Sequence, residues 1–233
     1  MRVISLGIRE LDRGLGGGLP HPSLISIEGE HGAGKTALTQ QIVYHMLREG
    51  MGVFVITSET TVKKYLEMMK SIRLDASPYY LTGKLSIYPL HVEGGRWSRF
   101  LSSLFLRVTG NFLELSKNLY DAVVIDSLSV LTLNTPSHEF LTFITRMKNL
   151  VSDGKTIILT FHPKFLSEGS VTKLKASSDV YLTLKNMRIA GISVKSLEVV
   201  KLWGGDGRRG GPITLEVNPS LGLRVVPLGG LSL

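Results

Sequence analysis

Residues 24–38 read Leu24-Ile25-Ser26-Ile27-Glu28-Gly29-Glu30-His31-Gly32-Ala33-Gly34-Lys35-Thr36-Ala37-Leu38, and this stretch decides the fold. Leu24 to Glu28 is a short apolar strand signal. Gly29 to Thr36 matches G-x-x-x-x-G-K-[ST]. From Thr36 to Glu49, apolar Leu38, Ile42, Val43, Met46 and Leu47 recur at the spacing of one helix face. Gly50 and Gly52 supply its stop. Strand, glycine-rich loop and helix in that order are the context in which this pattern cradles phosphate. The glycines let the backbone curl so that successive N–H groups point inward at phosphate oxygens, and the helix N-terminus adds partial positive charge. Lys35 is placed to reach the β- and γ-phosphates of ATP, and the Thr36 hydroxyl to ligate Mg2+. The expected binding set is Gly29, Glu30, His31, Gly32, Ala33, Gly34, Lys35, Thr36 and Ala37. The bare pattern arises by chance in roughly 1 of 100 chains of this length, so its flanks carry the identification.

Working outward, Val53–Thr57, Ala122–Asp126 and Thr156–Phe161 read as further buried strands. Helical stretches are expected at Lys63–Ser71, at Trp97–Lys117 with Gly110 offering a break, and over a stripe of Phe140, Phe143, Ile144, Met147, Leu150 and Val151 that ends at Gly154. Residues 77–91 read as irregular, punctuated by Pro78 and Pro89, with room for a strand at Leu85–Tyr88. From Val180 onward the chain changes to short strands separated by Gly and Asn-Pro turns. The expected fold class is α/β: a mostly parallel sheet with helices on both faces, extended by a C-terminal antiparallel β segment. Residues 1–233 are expected to form a single ATP-binding domain.

Three residues at strand ends extend the site. Asp126 closes the apolar run Val123-Val124-Ile125 and is the expected second Mg2+ ligand, by way of water. An Asp at a strand end also serves as a helix cap, and the loop gives it its meaning here. Glu59 follows Val53–Thr57 at the same sheet edge, where a carboxylate reaches a water attacking the γ-phosphate; the plainer alternative is an exposed capping Glu. His162 follows the fourth strand and is either a γ-phosphate sensor or a polar loop residue. For His31, simple exposure is the plainer reading.

Composition sets the outer bounds. The 233 residues are 43% apolar and 20% charged, which excludes disorder as the main state. Zero Cys excludes a disulfide scaffold, a Cys-ligated zinc site and a thiol nucleophile. Arg9, Glu10, Asp12 and Arg13 interrupt the N-terminal stretch before any signal-peptide core forms. No run approaches the ~18 apolar residues of a spanning helix, so the expected location is cytoplasmic, with membrane contact only through a partner. The net charge of +8 suits an anionic partner. Residues 161–212 hold nine Lys/Arg against four acids, more than half of that excess.

Together these residues resemble the RecA superfamily and its KaiC-like branch. Ile4-Ser5-Leu6-Gly7, Glu10-Leu11-Asp12 and Leu15-Gly16-Gly17-Gly18-Leu19 resemble the family's lead-in to the phosphate loop. Val123–Leu131 resembles its Walker-B segment, and Ile213–Pro227 its terminal hairpin. Within the branch, His21–Leu38, Thr57–Ile72, Tyr79–Leu90 and Lys148–Pro163 resemble the accessory ATP-binding proteins of the archaeal flagellum (archaellum) motor. The resemblance implies a RecA-like fold and self-association with a hexameric ring as one form. It also implies docking to the archaellum motor ATPase and its membrane platform protein, at the cytoplasmic face of the membrane. In such rings the basic C-terminal stretch faces a neighbour's nucleotide.

Two departures from the family pattern bear on activity. Active KaiC-like domains carry two adjacent glutamates after the second strand, where this chain has Ser58-Glu59. They also carry a Lys-x-Arg that reaches a neighbour's γ-phosphate, where this chain has Lys201-Leu202-Trp203. Lys201 is then the candidate trans contact, unless it is only a solvated strand Lys, and Arg208 or Arg209 is a substitute for the missing arginine. An arginine finger is worth roughly 10³–10⁵ in rate, so slow or absent hydrolysis is expected while ATP binding is retained. The functional expectation is a nucleotide-dependent switch or scaffold in the archaellum motor. The alternatives are a DNA-dependent ATPase of the recombinase-paralogue type, for which no added DNA-gripping element is visible, and a KaiC-like autokinase.

Overall fold

The computed structural model describes residues 2–90, 98–133, 135–189, 192–203, 211–219 and 221–226. Parallel strands covered on both faces read as near-continuous apolar runs, and this chain's do. β1 (Arg2–Ile4), α1 (Arg9–Gly14) and β2 (Leu19–His21) lead into β3 (Leu24–Gly29) and α2 (Lys35–Arg48). Next come β4 (Val53–Thr57), α3 (Val62–Ser71), α4 (Ser77–Leu81), β5 (Leu85–Pro89) and α5 (Arg99–Leu115). β6 (Ala122–Asp126), α6 (Leu128–Leu131), α7 (Ser137–Ser152), β7 (Thr156–Phe161) and α8 (Glu168–Ser177) follow. The chain closes with β8 (Val180–Ile189), β9 (Ile192–Leu202), β10 (Ile213–Asn218) and β11 (Gly222–Val225).

Nine strands form one sheet in the order β11-β10-β9-β8-β3-β7-β6-β4-β5. From β8 to β5 the neighbours are parallel, and from β8 to β11 they are antiparallel. The expected mixed sheet is therefore present. Every position of β4, β6 and β7 is buried. Alternate residues point to opposite faces. Ile25, Ile27, Val53, Val55 and Val124 pack against Leu38, Ile42 and Met46 of α2 on one face. Leu24, Phe54, Ile56, Val123 and Ile125 pack against Phe140, Ile144 and Met147 of α7 on the other. Among the described residues no helix is long and apolar enough to cross a membrane.

Two local expectations are corrected. Gly110 does not break α5, which runs through it. A Cβ there would lie 3.2 Å from the Arg146 guanidinium and 3.6 Å from the Phe143 ring, so the glycine lets α5 approach α7 closely. The start of that helical stretch at Trp97 lies outside the described residues, as do Arg208, Arg209 and Pro227. The segment read as irregular holds the short helix α4, with Pro78 in its first turn, where a missing N–H costs nothing.

The N-terminal lead-in is built as a brace for α2. β1 pairs with β2, Asp12 accepts hydrogen bonds from Ser5 Oγ and Leu6 N at 2.7 Å each, and Gln41 of α2 donates to the Leu6 carbonyl at 2.6 Å. Gly18 makes the pairing possible: its φ is +139°, and a Cβ there would sit 2.2 Å from the Ile4 carbonyl oxygen. Gly18→Ala is expected to cost at least ~2 kcal/mol, lowering Tm by roughly 4–8 °C for a chain of this size. Circular-dichroism melting checks this, and an unchanged Tm would show that the brace can move aside.

Candidate functional site

The phosphate loop leaves β3 at Gly29 and enters α2 at Gly34, its N-cap, with φ +95° and Gly32 at φ +70°. Both angles lie in the region open to glycine and costly to other residues. Gly29 is constrained differently, since a Cβ there would meet the Leu184 carbonyl of β8 at 2.9 Å. No side chain caps α2 and its first turn holds no acid, so its free N–H groups and positive end are left for an anion. Lys35 folds back across the loop, donating to the Gly29 and Glu30 carbonyls at 2.8 and 2.9 Å. Burial lowers its pKa, while the fields of Asp126 and Glu59 act to raise it. His31, Gly32, Gly34, Lys35, Thr36 and Ala37 line a cavity of about 570 Å³. Gly29, which ends β3, and Glu30 are not among its lining residues, and Ala33 is buried in the core.

The sheet order brings the other predicted residues to the same cavity. β7, β6 and β4 lie in succession on one side of β3, and His162, Asp126 and Glu59 stand at or just past their C-terminal ends. Asp126 is 1% exposed. Its Oδ2 accepts from Thr36 Oγ1 at 2.9 Å and its Oδ1 from Thr160 Oγ1 at 2.6 Å. Burial raises its pKa, the two hydroxyls and Lys35 pull it down, and Glu59 adds to the rise. A buried carboxylate that resists ionisation calls for a cation. The donor set, one hydroxyl touching one carboxylate, fits Mg2+, which is usually held by one or two carboxylates together with substrate phosphates and water. Among the described residues no cluster of three or more His, Cys, Asp or Glu offers an all-protein metal cage.

Glu59 and Asp126 belong to turns tied to each other. Ser58 N donates to the Asp126 carbonyl at 2.9 Å, Ser127 N donates to Ser58 Oγ at 3.2 Å, and Ser127 Oγ donates to Glu59 Oε1 at 3.2 Å. Glu59 is thereby oriented at the cavity wall while its carboxylate stays exposed. The His162 backbone N–H donates to Ser129 Oγ at 2.8 Å, and its Nδ1 accepts from Lys164 N at 3.1 Å. A neutral ring with Nδ1 accepting keeps its proton on Nε2. The His162 ring lies 4.8 Å from His31 and 5.1 Å from Phe165, centroid to centroid. His31 is therefore exposed but not idle, since it joins this ring cluster.

Lys201 lies elsewhere in its own chain. It pairs with Tyr181 in β8, well back from the strand ends that carry the loop, and donates to the carbonyls of Ala176 and Lys175 at 3.0 and 3.4 Å, at the end of α8. Trp203 is 61% exposed. Sequence reasoning missed Thr160, Phe165 and Lys195. Thr160 carried a faint signal as a polar residue inside the apolar run Thr156–Phe161. Phe165 and Lys195 carried none, because each reaches the site only through the tertiary fold.

Three histidines have lowered pKa values. Burial is the main cause for His21, His45 and His162, assisted by Arg2, by Arg48, and by His31 with Lys35, respectively. The folded protein holds them neutral while the unfolded chain takes up protons near the ordinary value of about 6.5. Their contribution is complete above that value and is lost as pH falls below it, so Tm should drop between about pH 7.5 and 5.5. Asp126 acts with the opposite sign, because its raised pKa lets the folded protein bind a proton first. Melting curves in the Asp126→Asn background remove that contribution. A Tm there that is flat or rises on acidification would contradict the histidine assignment.

Comparison with known proteins places this geometry. A family model described as "ATPase: KaiC" matches residues 4–227. The archaeal flagellar ATP-binding protein FlaH of Sulfolobus acidocaldarius is 42% identical over 226 residues, covering 97% of each chain. The FlaH of Methanocaldococcus jannaschii is 28% identical over 229 residues, covering 95% of this chain and 94% of its own. The crystal structure of flagellar accessory protein FlaH from Methanocaldococcus jannaschii superposes with a TM-score of 0.82 at 25% identity, over 97% of this chain and 98% of that one. A KaiC-like protein from Pyrococcus horikoshii shares the fold, with a TM-score of 0.76 at 23% identity, over 97% of this chain and 99% of that one. With the family model matched over residues 4–227, and FlaH proteins matched in sequence and in fold over nearly the whole length, this chain belongs to the KaiC-like ATPase family of the RecA superfamily, in the branch that holds the FlaH proteins.

Proposed function

We propose that this chain is an ATP-binding assembly component of the archaellum motor, a nucleotide-dependent switch or scaffold with slow hydrolysis. The observation that carries the nucleotide reading is the 2.9 Å contact between Thr36 and Asp126, which joins the phosphate loop to the strand-end carboxylate at one cavity. The motor assignment is supported by the relatives' names. Mg2+, held by Thr36 and Asp126, would neutralise phosphate charge. Lys35 then leaves the loop carbonyls for the phosphates, and the α2 N–H groups bind the phosphate oxygens. Glu59 orients a water and His162 donates from Nε2. Residues 1–233 act as one ATP-binding domain that self-associates and works from the cytoplasmic face of the membrane through the motor ATPase and platform protein. Slow turnover follows from the Trp at position 203, where the family's trans arginine stands.

At a ligand concentration 100-fold above Kd, ATP stabilises the folded protein by about 2.7 kcal/mol. Thermal melting with ATP and Mg2+ should therefore shift Tm upward by roughly 5–10 °C, and Asp126→Asn should abolish the Mg2+ dependence of that shift. No shift in the wild type would overturn the reading. Capture of the motor ATPase from an archaeal lysate only when ATP is present tests the switch. Tight, steeply salt-dependent binding to single-stranded DNA would favour the recombinase alternative.

A further inference from the structure

On the side of β3 away from Asp126, Glu59 and His162, the sheet does something that the phosphate loop alone does not require. β8 pairs with β3 as far as Gly29↔Leu184 and then runs on, paired only with β9, to Ile189↔Ile192. This β8–β9 ribbon overhangs the loop. Lys195 stands in it opposite Asn186, and opposite Leu215 of β10 on its other side. Its Nζ donates to Asn186 Oδ1 at 2.6 Å, and Asn186 Nδ2 donates to the His31 carbonyl at 3.4 Å. A Cβ placed on Gly34 would lie 3.7 Å from Lys195 Cγ, so the stem of Lys195 crosses the entry to α2. Lys195 lines the cavity together with Val217, which follows Leu215 on the same face of β10. Among the described residues Lys195 forms no ion pair, and its ammonium rests on a neutral amide.

The strand order gives the cavity two ends. Asp126, Glu59 and His162 crowd one, where the metal and the terminal phosphate belong. The other end has Lys195 and Val217 and no acid among its lining residues. A polyphosphate laid along the loop with its terminal phosphate toward Asp126 points its nucleoside-proximal phosphates toward the Lys195 side of β3.

Resting on the ATP reading, we propose that Lys195 binds the nucleoside-proximal phosphates of a di- or triphosphate within its own chain, while Val217 flanks the nucleoside. Lys195 is thus a second phosphate cation, separate from Lys35, and it serves ADP and ATP alike. Binding exchanges its Asn186 Oδ1 partner for phosphate, and the Asn186 Nδ2 bond to the His31 carbonyl can remain.

Calorimetric titration of the full chain with ADP and with ATP, both with Mg2+, tests this. Lys195→Ala should weaken ADP and ATP by the same factor, about 10–100-fold, the range of one charge-assisted hydrogen bond. Lys195→Arg should restore most of it. Lys185→Ala removes an equal charge from the same ribbon, at a residue paired with Glu198 and absent from the cavity, and should change neither affinity. Melting temperatures near wild type confirm that each variant is folded. Unchanged ADP affinity in Lys195→Ala overturns the proposal. So does a loss confined to ATP, which would put Lys195 at the terminal phosphate. An equal loss in Lys185→Ala would reduce the effect to general electrostatics. Wild-type protein that binds neither nucleotide would overturn the ATP reading itself, and this proposal with it.

Discussion

Lys35→Ala is expected to abolish nucleotide binding at ordinary concentrations while leaving the fold intact. The ammonium is half-buried, already hydrogen-bonded to two loop carbonyls, and next to the two cavity carboxylates. Exchanging those neutral acceptors for phosphate oxygens creates charge-assisted hydrogen bonds, each worth about 1.5–3 kcal/mol. Two such bonds correspond to a loss of roughly 10²–10⁴-fold in affinity. The apo protein should be little destabilised, because the substitution removes a cation whose burial is unfavourable and leaves the carbonyls open to water. Titration with a labelled ATP analogue measures the first effect and thermal melting of the apo form the second. Retention of affinity within tenfold would mean that the loop N–H groups dominate binding and that Lys35 is mainly a clamp on the loop.

Glu59→Gln is expected to leave ATP affinity near wild type and to remove most of the slow hydrolysis. The Glu59 carboxylate accepts from Ser127 Oγ, whereas Lys35 donates to the loop carbonyls and Thr36 to Asp126. Gln keeps the size and an oxygen for that hydroxyl, but cannot accept a proton from water. Positioned general bases contribute typically 10²–10⁴-fold, so single-turnover hydrolysis followed over hours should slow by that order. If wild-type protein alone turned over at ~1 per second, the reading of Trp203 as a weakened trans site would fail, because that rate is typical of competent enzymes. If Glu59→Gln matched wild type, the carboxylate would be a brace between the turns after β4 and β6.

The sheet and most of its helices were legible because strands buried on both faces must be apolar along their whole length. Val53–Thr57, Ala122–Asp126 and Thr156–Phe161 show that pattern directly. Gly110 was misread because a helix-interior glycine looks the same whether it breaks the helix or admits a neighbour; only the Arg146 and Phe143 side chains against it decide. His31 was undervalued for a similar reason. Its exposure is real, but the ring tilted against it belongs to His162, 131 positions later and just past the end of β7.

By itself, the sequence determined the glycine-rich loop between β3 and α2, the strand-end place of Asp126 and the α/β class. These rest on local rules: glycine's freedom at positive φ, helix periodicity and the apolar demand of a buried strand. Only the tertiary structure decided the rest of the site. Strand order put β7 between β3 and β6, which placed Thr160 under Asp126 and His162 beside His31. The antiparallel ribbon of β8 and β9 carried Lys195 back over its own chain's loop, so one residue of the basic C-terminal stretch lines the local cavity. Strand order and ribbon overhang are set by long-range pairing, which depends on how whole elements pack and leaves no periodic mark on the residues it brings together.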